Sequence, residues 1–261
     1  MMINKDWYAI GKKVFQGDFR GIRNWIYGQY FKRRDREGFS VTDAEWDYLI
    51  ILDACRYDVF KEVNWIEGEL SKVVSKGSHS VEFLNANFTD YYYNTIYVTA
   101  NPHVSNYPSS QWAENQFISE EHFPYVNPVY SKNEYDEKGV STPEGVTKEA
   151  LRTKKDFPDS KMIVHYMQPH GPLIGKTSVK GRTVDEIVFN GGSLEEAREA
   201  YKANLERALE SVEDLIEHLD GQIVITADHG ELFGEYGITG HPPEIYFQEL
   251  VEVPWLEIDK D

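Results

Sequence analysis

A chain of 261 residues, 41% hydrophobic and 27% charged, has ample material for a buried core, as one large α/β domain or two small ones. Its one cysteine, Cys55, excludes a disulfide framework and a cysteine-based zinc cluster, and no run of eighteen apolar residues is present to cross a membrane. A net charge of −17 makes the body a poor partner for a nucleic acid backbone, so no nucleic acid is expected among its partners.

The charge is uneven. Residues 1–37 hold nine Lys/Arg against four Asp/Glu, a local +5 that leaves −22 for the rest. This front segment could meet an anionic surface, membrane or substrate, or lie solvated across the acidic body. Its first residues, MMINKDWYAIGKK, lack an apolar signal core, and a cytoplasmic location is expected. We divide the chain into a basic helical segment, 1–45, and a catalytic domain, 46–261. Nothing in the sequence indicates an oligomeric state.

Residues 6–36 carry apolar side chains at mixed helical spacing and predict short helices. YLIIL (48–52) is a continuous apolar run, the pattern of a strand buried on both faces, and it stops at Asp53. SKGSHSVEFL follows, with Gly77 in a turn and a helix opening at a serine over 80–88. TIYVTA (95–100) is a second strand, ahead of Asn101. The aromatic-rich stretch 101–141 reads as a substrate-facing lid or a cluster packed under a loop. A helix over 142–155 takes Thr142 as N-cap with Pro143 in its first turn. KMIVHYM (161–167) is a third strand, leading to Gln168-Pro169-His170. Lys176, Lys180 and Arg182 follow as candidate contacts for an anionic ester or as solvated loop cations. The helix over 193–219 opens on a Ser193/Glu196 capping box and carries an apolar stripe from Tyr201 to Leu219. QIVIT (222–226) is the fourth strand, and it runs into Ala227-Asp228-His229-Gly230. His241 follows eleven residues after Gly230.

Strands alternating with helices imply an α/β fold, a mostly parallel sheet sandwiched between helices. Ligands of such sheets bind outside the carboxyl ends of the strands, so Asp53, His170, Asp228 and His229 are expected on one rim. Two aspartates and a histidine on rigid strand ends suit one divalent cation, Mn²⁺ or Zn²⁺ before Mg²⁺ or Ca²⁺. A serine at a helix N-terminus could ligate such an ion and attack a phosphorus or sulfur centre, or could simply cap its helix.

LDACRYDVF (52–60), MQPHGPLIG (167–175), TADHGELFGE (226–235) and GHPP (240–243) together resemble, in order, the metal-binding and substrate blocks of the alkaline phosphatase/sulfatase superfamily. The resemblance spans 48–256. It implies that Asp53, Asp228 and His229 bind the metal and that the serine is both ligand and nucleophile. We assign that serine as Ser80, with Ser78 as the alternative. It further implies that His170 and His241 hold the ester, protonate the leaving group or take a second ion. Arg56 would bind the ester or tie the first strand to Asp58. Sulfatases of this family convert Cys or Ser in Cys/Ser-x-Pro/Ala-x-Arg, and Ser80-Val81-Glu82-Phe83-Leu84 has neither the Pro nor the Arg. The shortness of the chain implies a reduced C-terminal subdomain. The expected function is metal-dependent hydrolysis or transfer of phosphate esters, phosphodiesters included, on a small-molecule or glycan-linked anionic substrate. The alternatives are a sulfatase and a non-catalytic binding protein.

Overall fold

A computed structural model describes residues 19–33, 37–105, 116–132, 141–175 and 179–260. A seven-stranded sheet forms its centre, in the order β2 (Glu69–Val74), β9 (Glu252–Lys260), β6 (Gly221–Thr226), β1 (Tyr48–Leu52), β5 (Lys161–Tyr166), β3 (Thr95–Thr99), β4 (Tyr125–Pro128). Strands β1, β5, β6, β3 and β4 run parallel, and β9 lies antiparallel between β6 and β2. All five residues of β1 are buried, as its unbroken apolar run requires of a central strand covered on both faces.

Alternate β1 side chains enter different cores. Tyr48, Ile50 and Leu52 join the layer under α4 (Pro143–Asp156) and α6 (Leu194–Ile216), while Leu49 and Ile51 meet Phe83 and Leu84 of α3 (Ser80–Asn87) on the other face. Between these lie α2 (Tyr57–Val63) and the short α5 (Val184–Phe189). The caps read from the sequence are made: Thr142 accepts from the Gly145 N–H at 3.1 Å, and Ser193 and Glu196 form the reciprocal box. After β6 the chain adds only a two-stranded ladder, β7 (Leu232–Phe233) with β8 (Thr239–Gly240), the short α7 (Gln248–Val251) and β9. This small C-terminal part agrees with the expected reduction.

α1 (Phe19–Phe31) is one helix that passes through Gly21 and Gly28. Tyr27 and Phe31 fix it to a third apolar cluster built on Leu232, Ile238, Ile245 and Leu250. Three sheet strands escaped the sequence reading for physical reasons. β2 has only exposed and half-buried residues at the sheet edge, β4 has four residues and ends in proline, and β9 contains Pro254. The described part of the aromatic stretch favours the packed reading over the lid: Phe117 and Phe123 are buried against Phe88. Tyr107 and Trp112 lie outside the described residues.

Candidate active site

The carboxyl ends of β1, β5, β3 and β6 meet at one point, because parallel strands deliver their ends to the same rim. β1 ends at Asp53 and β6 leads to Asp228 and His229. All three are buried. His229 Nε2 lies 3.4 Å from Asp228 Oδ2, 3.8 Å from Asp53 Oδ1 and 3.3 Å from Ser80 Oγ. Its Nδ1 sits 2.8 Å from the Gly230 carbonyl, to which it donates, and that leaves the Nε2 lone pair facing the cluster. Gly230 serves by close approach: a Cβ there would stand 2.0 Å from the Glu249 carbonyl oxygen. Ala54 has φ +58°, a strained backbone for a residue with a Cβ, and from it the Ala54 N–H donates to Asp228 Oδ1 at 3.0 Å.

Ser80 is the first residue of α3, while the N-cap is His79, whose Nδ1 accepts from the Val81 N–H. Ser80 is therefore free of the capping role, and its hydroxyl turns to the acid-imidazole cluster. The Asn101 amide, at the end of β3, donates to Ser80 Oγ at 3.1 Å and to Asp53 Oδ2 at 2.5 Å. Ser78 Oγ instead donates to Glu82 at 3.0 Å, away from the aspartates.

His165 was not singled out in the sequence. It lies inside the apolar run of β5, fully buried, with Nε2 3.6 Å from Asp53 Oδ2 and 3.8 Å from Asp228 Oδ2. The Tyr97 hydroxyl holds its Nδ1 at 3.0 Å. An imidazole near the carboxyl end of an otherwise apolar stretch of a parallel strand, MIVHY, was the available signal, since a buried polar ring needs a partner. Asn101, His79, His103 and Glu231 also gave no sequence signal strong enough to name them.

Three buried atoms around the two aspartates have no hydrogen-bond partner, Asp53 Oδ1, His165 Nε2 and Asp228 Oδ2, and His170 Nδ1 is a fourth in the site. Two carboxylate oxygens and an imidazole nitrogen orphaned together form a set whose shared chemistry is cation ligation, and Asp53, His165 and Asp228 bring donor atoms within 4.8 Å of one another. The residues fit a divalent metal ion.

Imidazoles roof this floor. His241 lies tilted against its neighbours, 4.5 Å from His229 and 5.0 Å from His170, and His79 lies 5.8 Å from His241, centroid to centroid. Burial would depress His241, but Glu231, 2.8 Å from its Nδ1, and the two aspartates outweigh burial and raise it to about 9. Burial pushes His170 below its ordinary value against the pull of Asp53, and burial with the neighbouring imidazoles takes His79 down to about 3. Burial would also raise the Asp53 carboxyl, yet the surrounding histidines, His170 foremost, hold it well below the usual carboxylate range. A cavity of about 180 Å³ opens beside this roof, lined by His170, His241, Glu231, Tyr201, Leu173 and Asp185 among others. His170 is flanked by cis bonds at Gln168–Pro169 and Gly171–Pro172.

Arg56 answers to the second of its two readings. Nε and Nη2 donate to both oxygens of Asp58 at 2.8 and 2.9 Å, and Nη1 donates to Glu235 at 2.7 Å and to the Glu231 carbonyl at 3.1 Å. The geometry makes it a tie between loops, with its donors already engaged, and it does not face the cluster as a contact for an ester. Lys176 lies outside the described residues. Lys180 and Arg182 are exposed.

No protein-family model matches the chain, and a search of curated proteins finds no match. Solved structures do match. The soluble domain of lipooligosaccharide phosphoethanolamine transferase A from Neisseria meningitidis aligns at TM-score 0.59 and 15% identity, over 80% of this chain and 75% of that one. An alkaline phosphatase superfamily protein from Vibrio parahaemolyticus aligns at 0.50 and 12%, over 92% and 69%. The zinc complex of the periplasmic domain of EcEptC from Escherichia coli aligns at 0.51 and 13%, over 82% and 72%. The chain has the alkaline phosphatase/sulfatase-like fold, as the four sequence blocks implied. No helix among the described residues is long and apolar enough to cross a membrane.

Proposed function

We propose that the chain is a metal-dependent enzyme of phosphate esters, a hydrolase or a transferase, with Ser80 as its nucleophile. The observation that carries this reading is the group of three orphaned buried donors, Asp53 Oδ1, His165 Nε2 and Asp228 Oδ2, next to a serine hydroxyl that caps nothing. Asp53, Asp228, His229 and Ser80 would hold the ion, with His165 completing the set from beneath. Mixed carboxylate and imidazole donors favour Zn²⁺ or Mn²⁺ over Mg²⁺ or Ca²⁺, and the His170/His241 pair gives room for a second ion. A bound divalent ion supplies Lewis acidity, lowering the pKa of a neighbouring hydroxyl and neutralising charge on a phosphoryl oxygen.

The chain's own residues supply the rest. Asn101 and the first turn of α3 orient Ser80 Oγ, which attacks phosphorus in line with the leaving oxygen. His241, kept protonated near neutral pH by Glu231, gives its proton to that oxygen as the bond to phosphorus breaks. His170, neutral through burial, contacts the ester through ring atoms. The Ser80 proton passes to solvent on attack; water or an acceptor alcohol then attacks the phosphoseryl ester, giving its proton to the now neutral His241, and Ser80 leaves and regains a proton from solvent. Transfer to an alcohol is the version supported by likeness to phosphoethanolamine transferase domains, and hydrolysis is the version with water in the same place. Substrate chemistry is that of an anionic ester, and the cytoplasm is the location this proposal assigns.

The test is release of nitrophenol from mono- and diesters with added Zn²⁺, Mn²⁺, Mg²⁺ or Ca²⁺, beside a chelator control. Ser80→Ala is expected to lose at least about 10³-fold in turnover while circular dichroism shows the fold intact. Wild-type turnover in that variant refutes the assignment. Turnover confined to sulfate esters, with an aldehyde residue in the intact mass, would make the chain a sulfatase. No turnover with any metal or ester would make it a binding protein.

A further inference from the structure

Asp228 turns one oxygen to the cluster and has the other tied down. Its Oδ1 accepts from the Ala54 N–H at 3.0 Å and from the His229 N–H at 2.9 Å. Its Oδ2 is one of the orphaned atoms, 3.4 Å from His229 Nε2 and 3.8 Å from His165 Nε2. Two bonds to Oδ1 fix the rotation of the carboxylate and so the aim of Oδ2. The bond from His229 is local, one residue along the chain. The bond from Ala54 reaches across the fold, from the turn that ends β1 to the segment after β6.

Ala54 makes that bond from a backbone that glycine adopts freely and a residue with a Cβ does not, φ +58°. Tyr201 of α6 holds it there. The Tyr201 hydroxyl donates to the Ala54 carbonyl at 2.6 Å and accepts from the Arg56 N–H at 3.0 Å, so one oxygen staples the turn on both sides of Cys55. Tyr201 is buried, and Phe233 packs edge-on against its ring with centroids 5.0 Å apart. A core tyrosine satisfies its hydroxyl with one partner. This one takes two, and both belong to the turn that supplies the bond to Asp228.

We propose that Tyr201 is a positioning residue of the metal site: its hydroxyl keeps Ala54 in the left-handed region, and Ala54 in turn keeps Asp228 Oδ2 aimed at the ion. The inference rests on the metal site of the proposed function and extends it to a residue that acts through another. Without the hydroxyl, Ala54 relaxes toward negative φ and its N–H swings off Asp228 Oδ1. The carboxylate then keeps only the local bond from His229. Outer hydrogen bonds that orient a ligand in this way change metal affinity about 10- to 100-fold.

Zn²⁺ affinity, measured by competition with a chromogenic chelator, tests the proposal on Tyr201→Phe, which removes one oxygen and keeps the ring. The affinity is expected to fall about tenfold or more. Adding Ala54→Gly to that variant is expected to restore most of it, because glycine takes φ +58° without a clamp. A tyrosine that only stabilised the fold would lower the melting temperature and leave the affinity of the folded protein where it was. Equal Zn²⁺ affinity in wild type and Tyr201→Phe therefore overturns the proposal, and so does a double variant as weak as the single one. If Tyr201→Phe fails to fold, a double variant that folds and binds Zn²⁺ as wild type does supports the clamp on Ala54, and one that also fails to fold overturns it. A wild type that binds no Zn²⁺ refutes the metal site itself, and the proposal with it.

Discussion

Asp53 and Arg56 stand three residues apart at the end of β1, both buried, yet their surroundings differ in kind. Around Arg56 the donors find acceptors: both Asp58 oxygens, Glu235 and a carbonyl. Around Asp53, one of its own oxygens, an imidazole nitrogen and an Asp228 oxygen find no partner. A closed charge network ties the loop after β1 to the segment after β6 and contributes to stability. The open set next to it costs free energy, because its buried polar atoms have no partners, and under the proposed function a metal ion would supply them. The comparison separates charges that hold the fold from charges that await chemistry.

The sharpest way to break that comparison is Asp228→Asn. Turnover is expected to fall by at least about 10³-fold. In chelator the variant should melt at or above the wild type, since it relieves one of two adjacent buried carboxylates. The rise in melting temperature on adding metal, worth about 2.7 kcal/mol at a hundredfold excess over Kd, should vanish. A variant that melts well below the metal-free wild type would show that Asp228 is structural. Arg56→Ala should do the reverse. It should destabilise by about 2–3 kcal/mol with or without metal, discounted because Asp58 and Glu235 remain partly in water. Denaturant midpoints in both conditions measure it, and a loss confined to the metal-loaded state would contradict the division.

Glu231→Gln sharpens the boundary between the two regions. The folded value of His241, about 9, exceeds its ordinary 6.5, so its bond to Glu231 stabilises fully below pH 6.5 and fades as pH rises through 9. In chelator, the melting gap between wild type and variant should be widest near pH 6 and close near pH 9.5. A gap that widens with pH would mean that another group dominates. The smallest effect is expected far from both regions. Ser193→Ala should cost about 1 kcal/mol through loss of the α6 cap, with turnover unchanged. Thermal melts and kinetics check both halves.

Much of this was legible in the sequence. The apolar runs at 48–52, 95–100, 161–167 and 222–226 became four central strands because residues buried on both faces of a parallel sheet must be continuously apolar. Asp53, His170, Asp228 and His229 were readable as one rim from where strands stop, and Ser80 was added by the resemblance of the four blocks; the structure brings Asp53, Ser80, Asp228 and His229 together. What is half-exposed or contains proline was not readable. The half-exposed β2 and the Pro254-bearing β9 take their places through ladder pairing with distant strands, and local pattern does not encode that. His165 was not singled out within its strand, and Arg56 was left between the ester and an acid such as Asp58. Only the tertiary structure decided that one imidazole faces two aspartates and that the guanidinium is closed in by acids up to 179 residues away. The physical reason is range. Periodicity and caps are set by neighbours within a few residues, whereas the partners of a buried charge are chosen by whichever strand ends the fold brings together.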